Sequence, residues 1–284
     1  APAPGAAHPS SCAGSVPEQF NNLFIVRKGY FMKECIANNN KKSVYIENGK
    51  AMKVFDTDYS KSDVLYEALN TARVEDAGVN IPKLISVSVE DGKWIITSEY
   101  KDGVTLTELL KSHPEKTDDY INAFVDYQID FEKKSNPLLL KLKDKLKRQI
   151  DSLKDTIDSS TIFELSTRLE SMPKHTKLCH GDYCPDNVIV KTDNNGNITD
   201  ITAVDWVHAT QGNASADVAN TYLLLKLVDD SIAEKYMQTF CNKTNTKKDY
   251  VTSWVPIVAA ARLTKNNPAE KELLEKWIDI VEFQ

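Results

Sequence analysis

The stretch Leu178-Cys-His-Gly-Asp-Tyr-Cys-Pro-Asp-Asn187-Val-Ile-Val190 constrains this chain more than any other. Helical patterns flank it on both sides, yet here short apolar runs alternate with polar and turn-forming residues. Asp193-Asn-Asn-Gly-Asn197 follows, then a second apolar run over residues 201–207. Asn, Asp and Gly tolerate the backbone of a tight turn, so the segment reads as a β-hairpin. Folding it brings three polar side chains to one place. Asp182 and Asn187 stand at the two ends of the loop that leads into the first strand, and Asp205 closes the return strand. A carboxylate and an amide suit a hard cation such as Mg²⁺. A separate carboxylate beside them can orient a hydroxyl and take its proton. Positioning, charge neutralisation and a base are what phosphoryl transfer demands. Taken singly, Asp182 and Asn187 read first as turn caps and Asp205 as a helix start. All three in this order, within His-Gly-Asp and Asp-Trp, reverse that reading.

The rest of the chain predicts an α+β, bilobal architecture. Ser43–Ile46 and Ala51–Phe55 flank Asn48-Gly49 as a hairpin. A helix follows, with Val64, Leu65, Ala68, Leu69 and Ala72 on one face, Ser62 or Asp63 as cap and Gly78 as stop. Lys83–Val89 and Trp94–Tyr100 form a second hairpin. Residues 20–100 thus make a β-rich N-lobe and residues 101–284 a mainly helical C-lobe with the catalytic hairpin embedded, the linker lying near Tyr100–Gly103. Thr105 and Glu108 fit a capping box. Leu142, Leu146, Ile150, Leu153 and Ile157 predict one amphipathic helix, whose Lys141, Lys143, Lys145, Lys147 and Arg148 read as a solvated face. Further helices are expected over Ile162–Leu169, Ala216–Leu227, Ile232–Phe240, Tyr250–Leu263 and Glu270–Val281. Residues 1–19, rich in Pro, Ala, Gly and Ser, read as a flexible or expression-derived tail.

Composition narrows the function classes. A chain of 284 residues with 41% hydrophobic and 27% charged residues can bury a real core. The net charge of −6 argues against nucleic acid as a partner. No apolar run approaches the roughly 18 residues of a membrane span, and a cytoplasmic location is expected. Five scattered cysteines without a C-x-x-C pair read as reduced thiols. The chain has no G-x-x-x-x-G-K-[ST], which excludes a P-loop enzyme.

His180-Gly-Asp182, Asn187 and Asp205-Trp206, with Lys53 in Ala-Met-Lys-Val-Phe, Glu67 on the following helix and Ala216-Asp217-Val-Ala219, resemble the aminoglycoside phosphotransferase and choline kinase-like branch of the protein-kinase fold. The resemblance spans roughly residues 30–284, including Trp254–Leu263. It implies ATP or GTP as co-substrate, Mg²⁺ as cofactor and a small-molecule hydroxyl as acceptor. By the same resemblance Asp182 is the base, Asn187 and Asp205 hold the metal, and Lys53 contacts the phosphates and pairs with Glu67. His180 and Asp217 brace the catalytic loop, and Ser98–Lys101, with Glu99 and Tyr100 between them, form the hinge whose backbone groups read the nucleotide base. Glu75 is a rival partner for Lys53. Tyr183, Trp206 and His208 are candidates for the acceptor site, where aromatic faces would suit a quaternary amine; core packing explains them equally well. A metabolite kinase for choline, thiamine or a similar alcohol is one alternative, and a non-catalytic kinase-fold nucleotide-binding protein another. One departure stands out. The phosphate-covering segment Ile36–Ser43 contains no glycine. Its three asparagines keep a tight turn possible, and Ser43, Lys41 and Lys42 are the candidates for phosphate contact.

Overall fold

The structure, a computed structural model, describes residues 34–39 and 41–278. The tail expected over residues 1–19 lies outside them. The first lobe is an antiparallel sheet of β1 (Glu34–Asn39), β2 (Lys42–Glu47), β3 (Lys50–Phe55), β4 (Leu84–Glu90) and β5 (Lys93–Glu99), in the order β1-β2-β3-β5-β4. Two turns set its register. Asn48-Gly49 and Asp91-Gly92 all have positive φ, between 49° and 76°. That is the two-residue turn whose twist matches paired strands. In consequence Lys53 lies opposite both Val44 and Ile96.

Helix α1 (Lys61–Asp76) crosses behind the sheet. Its cap is Ser60, two or three residues earlier than predicted, and the Ser60 side chain accepts the Asp63 N–H. A small core of Phe55, Val64, Ala68 and Ile96 joins helix to sheet. The same helix is also tied to the second lobe. Asn70 Nδ2 donates to Val207 O at 2.9 Å, and Asn136 Nδ2 donates to Arg73 O at 2.8 Å.

Residues 100–103 lead into β6 (Val104–Thr105) and α2 (Leu106–Ser112), which carries the Thr105–Glu108 capping box. The second lobe continues with α3 (Thr117–Glu132), α4 (Leu142–Asp151), α5 (Ser159–Ser171) and β7 (Lys177–Cys179). Then come β8 (Val188–Thr192), β9 (Ile198–Ala203) and β10 (Thr210–Gly212). It closes with α6 (Ala214–Lys226), α7 (Asp230–Thr244), α8 (Lys248–Thr252), α9 (Val255–Leu263) and α10 (Lys271–Ile278). β8 and β9 are the predicted hairpin, with β6 on its other edge. β7 pairs with β10.

Two helices are shorter than their periodicity predicts. α4 stops at Asp151, and a run of turns follows before Asp158 caps α5 by accepting the Thr161 N–H. Ser, Thr and Asp in that run compete with the helical backbone, while Leu153 still reaches the core. The helix expected over residues 250–263 is split between α8 and α9, with Pro256 in the first turn of the latter, where a missing N–H costs nothing.

The larger core lies beneath the hairpin. Tyr183 stacks on Phe124 with ring centroids 4.2 Å apart, and Trp206 meets Phe131 edge-on at 5.2 Å. His180 sits on this aromatic floor, 4.3 Å from the Trp206 ring. Cys35, Cys179 and Cys241 are free thiols. No helix among the described residues is long and apolar enough to cross a membrane.

Candidate active site

A cleft of about 1250 Å³ runs between the lobes, with Lys53 and Glu67 on one wall and Asn187 and Asp205 on the other. Lys53 projects from β3 and Glu67 from α1. They meet at 2.5 Å, and the Lys53 ammonium also reaches Asp205 Oδ1 at 3.1 Å. The rival Glu75 is occupied elsewhere, accepting the Leu84 N–H. Lys42, one strand away, shares Glu67 at 3.0 Å. Burial would strip the charge from Lys53, but Asp205 and Glu67 outweigh it and hold its pKa well above the ordinary value. Burial likewise opposes ionisation of Asp205, yet Lys53, Lys42 and His208 keep it below the usual carboxylate range. Asp205 has a left-handed backbone, φ 64° and ψ 56°, uncommon outside glycine and the strain expected where a side chain is aimed for function.

The loop bearing Asp182 is fixed from below. Asp217, in the first turn of α6, accepts the N–H groups of His180 at 2.8 Å and Gly181 at 2.7 Å. His180 Nδ1 accepts the Asp182 N–H at 3.2 Å, and its Nε2–H donates to Val204 O at 3.1 Å. These partners assign one neutral tautomer. Burial holds the imidazole below its usual pKa, against the pull of Asp217 and Asp182. His180 therefore ties the loop bearing Asp182 to the strand end bearing Asp205. Asn187 adds a second tie, its Nδ2 donating to Asp182 O at 2.9 Å.

Asp182 is 3% exposed. Among the described residues its buried Oδ1 accepts no hydrogen bond. Lys265 Nζ lies 3.7 Å from that oxygen and Arg262 Nη1 4.0 Å. Arg262 in turn makes a buried two-pronged pair with Glu270, at 2.5 and 2.8 Å. Lys145 approaches the same loop from α4, donating to His208 O at 3.1 Å.

Several expected positions are displaced. Tyr183 is fully buried, with its hydroxyl donating to Phe124 O, and Trp206 is 2% exposed, with its indole N–H donating to Ala203 O. Both belong to the core rather than to an acceptor pocket. His208 meets the site through its backbone oxygen; burial holds its imidazole far below the usual range. Ser43 donates to Asn38 Oδ1, and alternation along β2 gives the cleft Lys42 and Val44 instead. Ser98, Glu99 and Tyr100 do line the cleft. The amides of Glu99 and Tyr100, however, already donate to Lys83 O and Gly49 O.

Arg262, Lys265 and Lys145 were not legible as site residues. Lys145 belongs to a lysine-rich helix face that looks wholly solvated, and the other two sit on a separate helix end more than 60 residues beyond the motif.

A two-lobed sheet-and-helix fold with its polar residues converging on the cleft floor defines a kinase-like phosphotransferase scaffold. Residues 50–251 match the model of the phosphotransferase enzyme family, and the chain belongs to that family. No curated protein matches the sequence. Among solved structures it is similar to the aminoglycoside phosphotransferase APH(4)-Ia, at 15% identity and TM-score 0.68, over 89% of this chain and 93% of that one. It is also similar to choline kinase LicA from Streptococcus pneumoniae, at 14% identity and TM-score 0.60, over 89% and 94%. A choline/ethanolamine kinase family protein from Mesorhizobium loti aligns at 14% identity and TM-score 0.59, over 89% and 90%. At these identities the likeness shows the fold.

Proposed function

We propose that the protein moves the γ-phosphate of ATP to a hydroxyl of a small molecule, with Asp182 accepting the hydroxyl proton. The observation that carries this reading is the single cleft in which Lys53, Glu67 and Asp205 touch while Asn187 is bonded to the loop of Asp182. Lys53 supplies positive charge where phosphate oxygens would lie, and Glu67 fixes its rotamer. Asp182, buried and with an Oδ1 that accepts no hydrogen bond among the described residues, can accept one hydroxyl proton. His180 and Asp217 keep that carboxylate in register without reacting. Ser98, Glu99 and Tyr100 form the base-binding edge, with Lys101 the nearest amide that makes no hydrogen bond among the described residues.

Asn187 and Asp205 fit Mg²⁺. One carboxylate held ionised and one amide oxygen are hard donors, and Mg²⁺ ordinarily takes few protein ligands, filling the rest with phosphate and water. When bound, the ion would neutralise charge on the phosphates. A thermostable mutant of APH(4)-Ia has been solved with AMP-PNP and hygromycin B together, which supports a nucleotide and a hydroxylated acceptor sharing such a cleft.

The test is thermal stabilisation by ATP or GTP with Mg²⁺ and with EDTA, followed by phosphate transfer to a panel of alcohols by the wild type and Asp182→Asn. We expect metal-dependent stabilisation by ATP and a loss of about 10²–10⁴ in kcat for the variant, with nucleotide binding kept. Full activity in Asp182→Asn would remove the base from this account.

A further inference from the structure

We infer that the alcohol phosphorylated at Asp182 carries a negative charge of its own, a carboxylate or a phosphate, held by Lys145 and Lys265. The inference rests on the phosphotransfer reading and names its acceptor class.

The charges divide unevenly across the cleft. On the nucleotide side Lys53 and Lys42 are matched by Glu67 and Asp205. Around Asp182 the pairing is looser, and Lys145 meets no acid at ion-pair distance among the described residues. Arg262 is neutralised by Glu270 within a buried pair. That leaves the ammonium groups of Lys145 and Lys265 beside Asp182, while Asp217, which also pulls on Lys145, is held beneath the loop by the His180 and Gly181 amides. Lys145 bonds a carbonyl oxygen, not an acid. The geometry is tight, because the His208 oxygen it holds abuts Gly181, the residue before Asp182.

Two partly buried ammonium groups near one another are unfavourable until an anion joins them. Burial and the neighbouring Lys265 push Lys145 down to about 8, and burial lowers Lys265 as well. A bound carboxylate or phosphate would reverse both effects. A polyamine or quaternary amine would add to the repulsion. The aromatic faces that could have held such a cation, Tyr183 and Trp206, are in the core. Of the other acids lining the cleft, Asp229 caps α7, Glu108 belongs to the capping box of α2 and Glu99 accepts the Lys83 N–H, while Asp186 is exposed at the cleft rim.

The experiment compares kcat/KM for short alcohols matched in size: glycerate, glycerol 3-phosphate, glycerol, ethanolamine, choline, and one aminoglycoside. We expect one anionic class to exceed glycerol by roughly 10–100-fold, as one or two charge-assisted hydrogen bonds allow. The glycerate and glycerol phosphate arms decide between carboxylate and phosphate. Lys265→Glu should reverse the preference toward ethanolamine, with Lys265→Gln intermediate. Two results overturn the inference: cationic alcohols preferred by the wild type, or Lys145→Met and Lys265→Gln slowing every acceptor equally. The second would assign the two lysines to the transferred phosphoryl group. If MgATP neither stabilises the protein nor is consumed, the phosphotransfer reading itself has failed. Calorimetric binding of glycerate and glycerol 3-phosphate then still decides: binding lost in Lys265→Glu upholds an anion site, and no binding to the wild type ends it.

Discussion

A β-carbon added to Gly181 would lie 2.7 Å from the carbonyl oxygen of His208. Gly181 also has φ +80°, a conformation other residues adopt only with strain. The middle position of His-Gly-Asp is thus fixed by packing as well as by backbone. Gly181→Ala should lower unfolding free energy by at least ~1 kcal/mol. It should also shift Asp182, so kcat falls more than KM for ATP rises. Denaturant titration and steady-state kinetics check both parts.

Lys53 touches acids from both lobes. Lys53→Met should cut kcat/KM by roughly 10²–10³, the usual cost of losing a positioned electrostatic donor. Lys53→Arg should restore little, because a planar fork does not fit the place of a compact ammonium 2.5 Å from Glu67. Kinetics with both variants, beside nucleotide-induced thermal shifts, decide this.

Much of this site could be read from residue order, and the reasons differ by region. Asn48-Gly49 and Asp91-Gly92 announce their hairpins because turn chemistry is local. Asp182, Asn187 and Asp205 converge because a hairpin brings its ends together by construction. Tyr183 and Trp206 were illegible for the opposite reason: a side chain beside a catalytic residue can point to the floor or to the cleft, and only α3, supplying Phe124 and Phe131, settles which. Lys145 is hidden in a similar way. Its helix shows charge on several faces, and the turn at His208 that half-covers it lies some 60 residues downstream.

Tyr183→Phe tests the placement of that ring directly. The hydroxyl bonds a buried carbonyl, so its removal should cost about 1 kcal/mol of stability. Acceptor KM should not move. A change in KM without a change in unfolding midpoint would return Tyr183 to the acceptor site.

The Arg262–Glu270 pair is buried at both ends. Arg262→Met alone should destabilise by ~3–5 kcal/mol, since it strands a buried carboxylate. Arg262→Met with Glu270→Leu should recover most of that. A double-mutant cycle followed by urea unfolding measures the difference.

Lys145 gives the stability a defined pH slope. Burial first, then the charge of Lys265, lowers it from 10.5 to about 8, against the pull of Asp182 and Asp217. Between those values the unfolded chain binds a proton that the folded chain has released. Folding is therefore penalised below about pH 8, and the penalty fades as pH rises toward 10.5. Lys145→Met should flatten that rise. Urea midpoints at pH 7, 8.5 and 10, compared between wild type and variant, reveal it.

Helix α1 carries the counter-ion of Lys53, yet Asn70 and Asn136 fasten it to the lobe opposite its own sheet. Moving Glu67 out of the cleft would break both of these bonds to the other lobe, a resistance of roughly 1–3 kcal/mol that Asn70 and Asn136 set without touching Glu67 themselves.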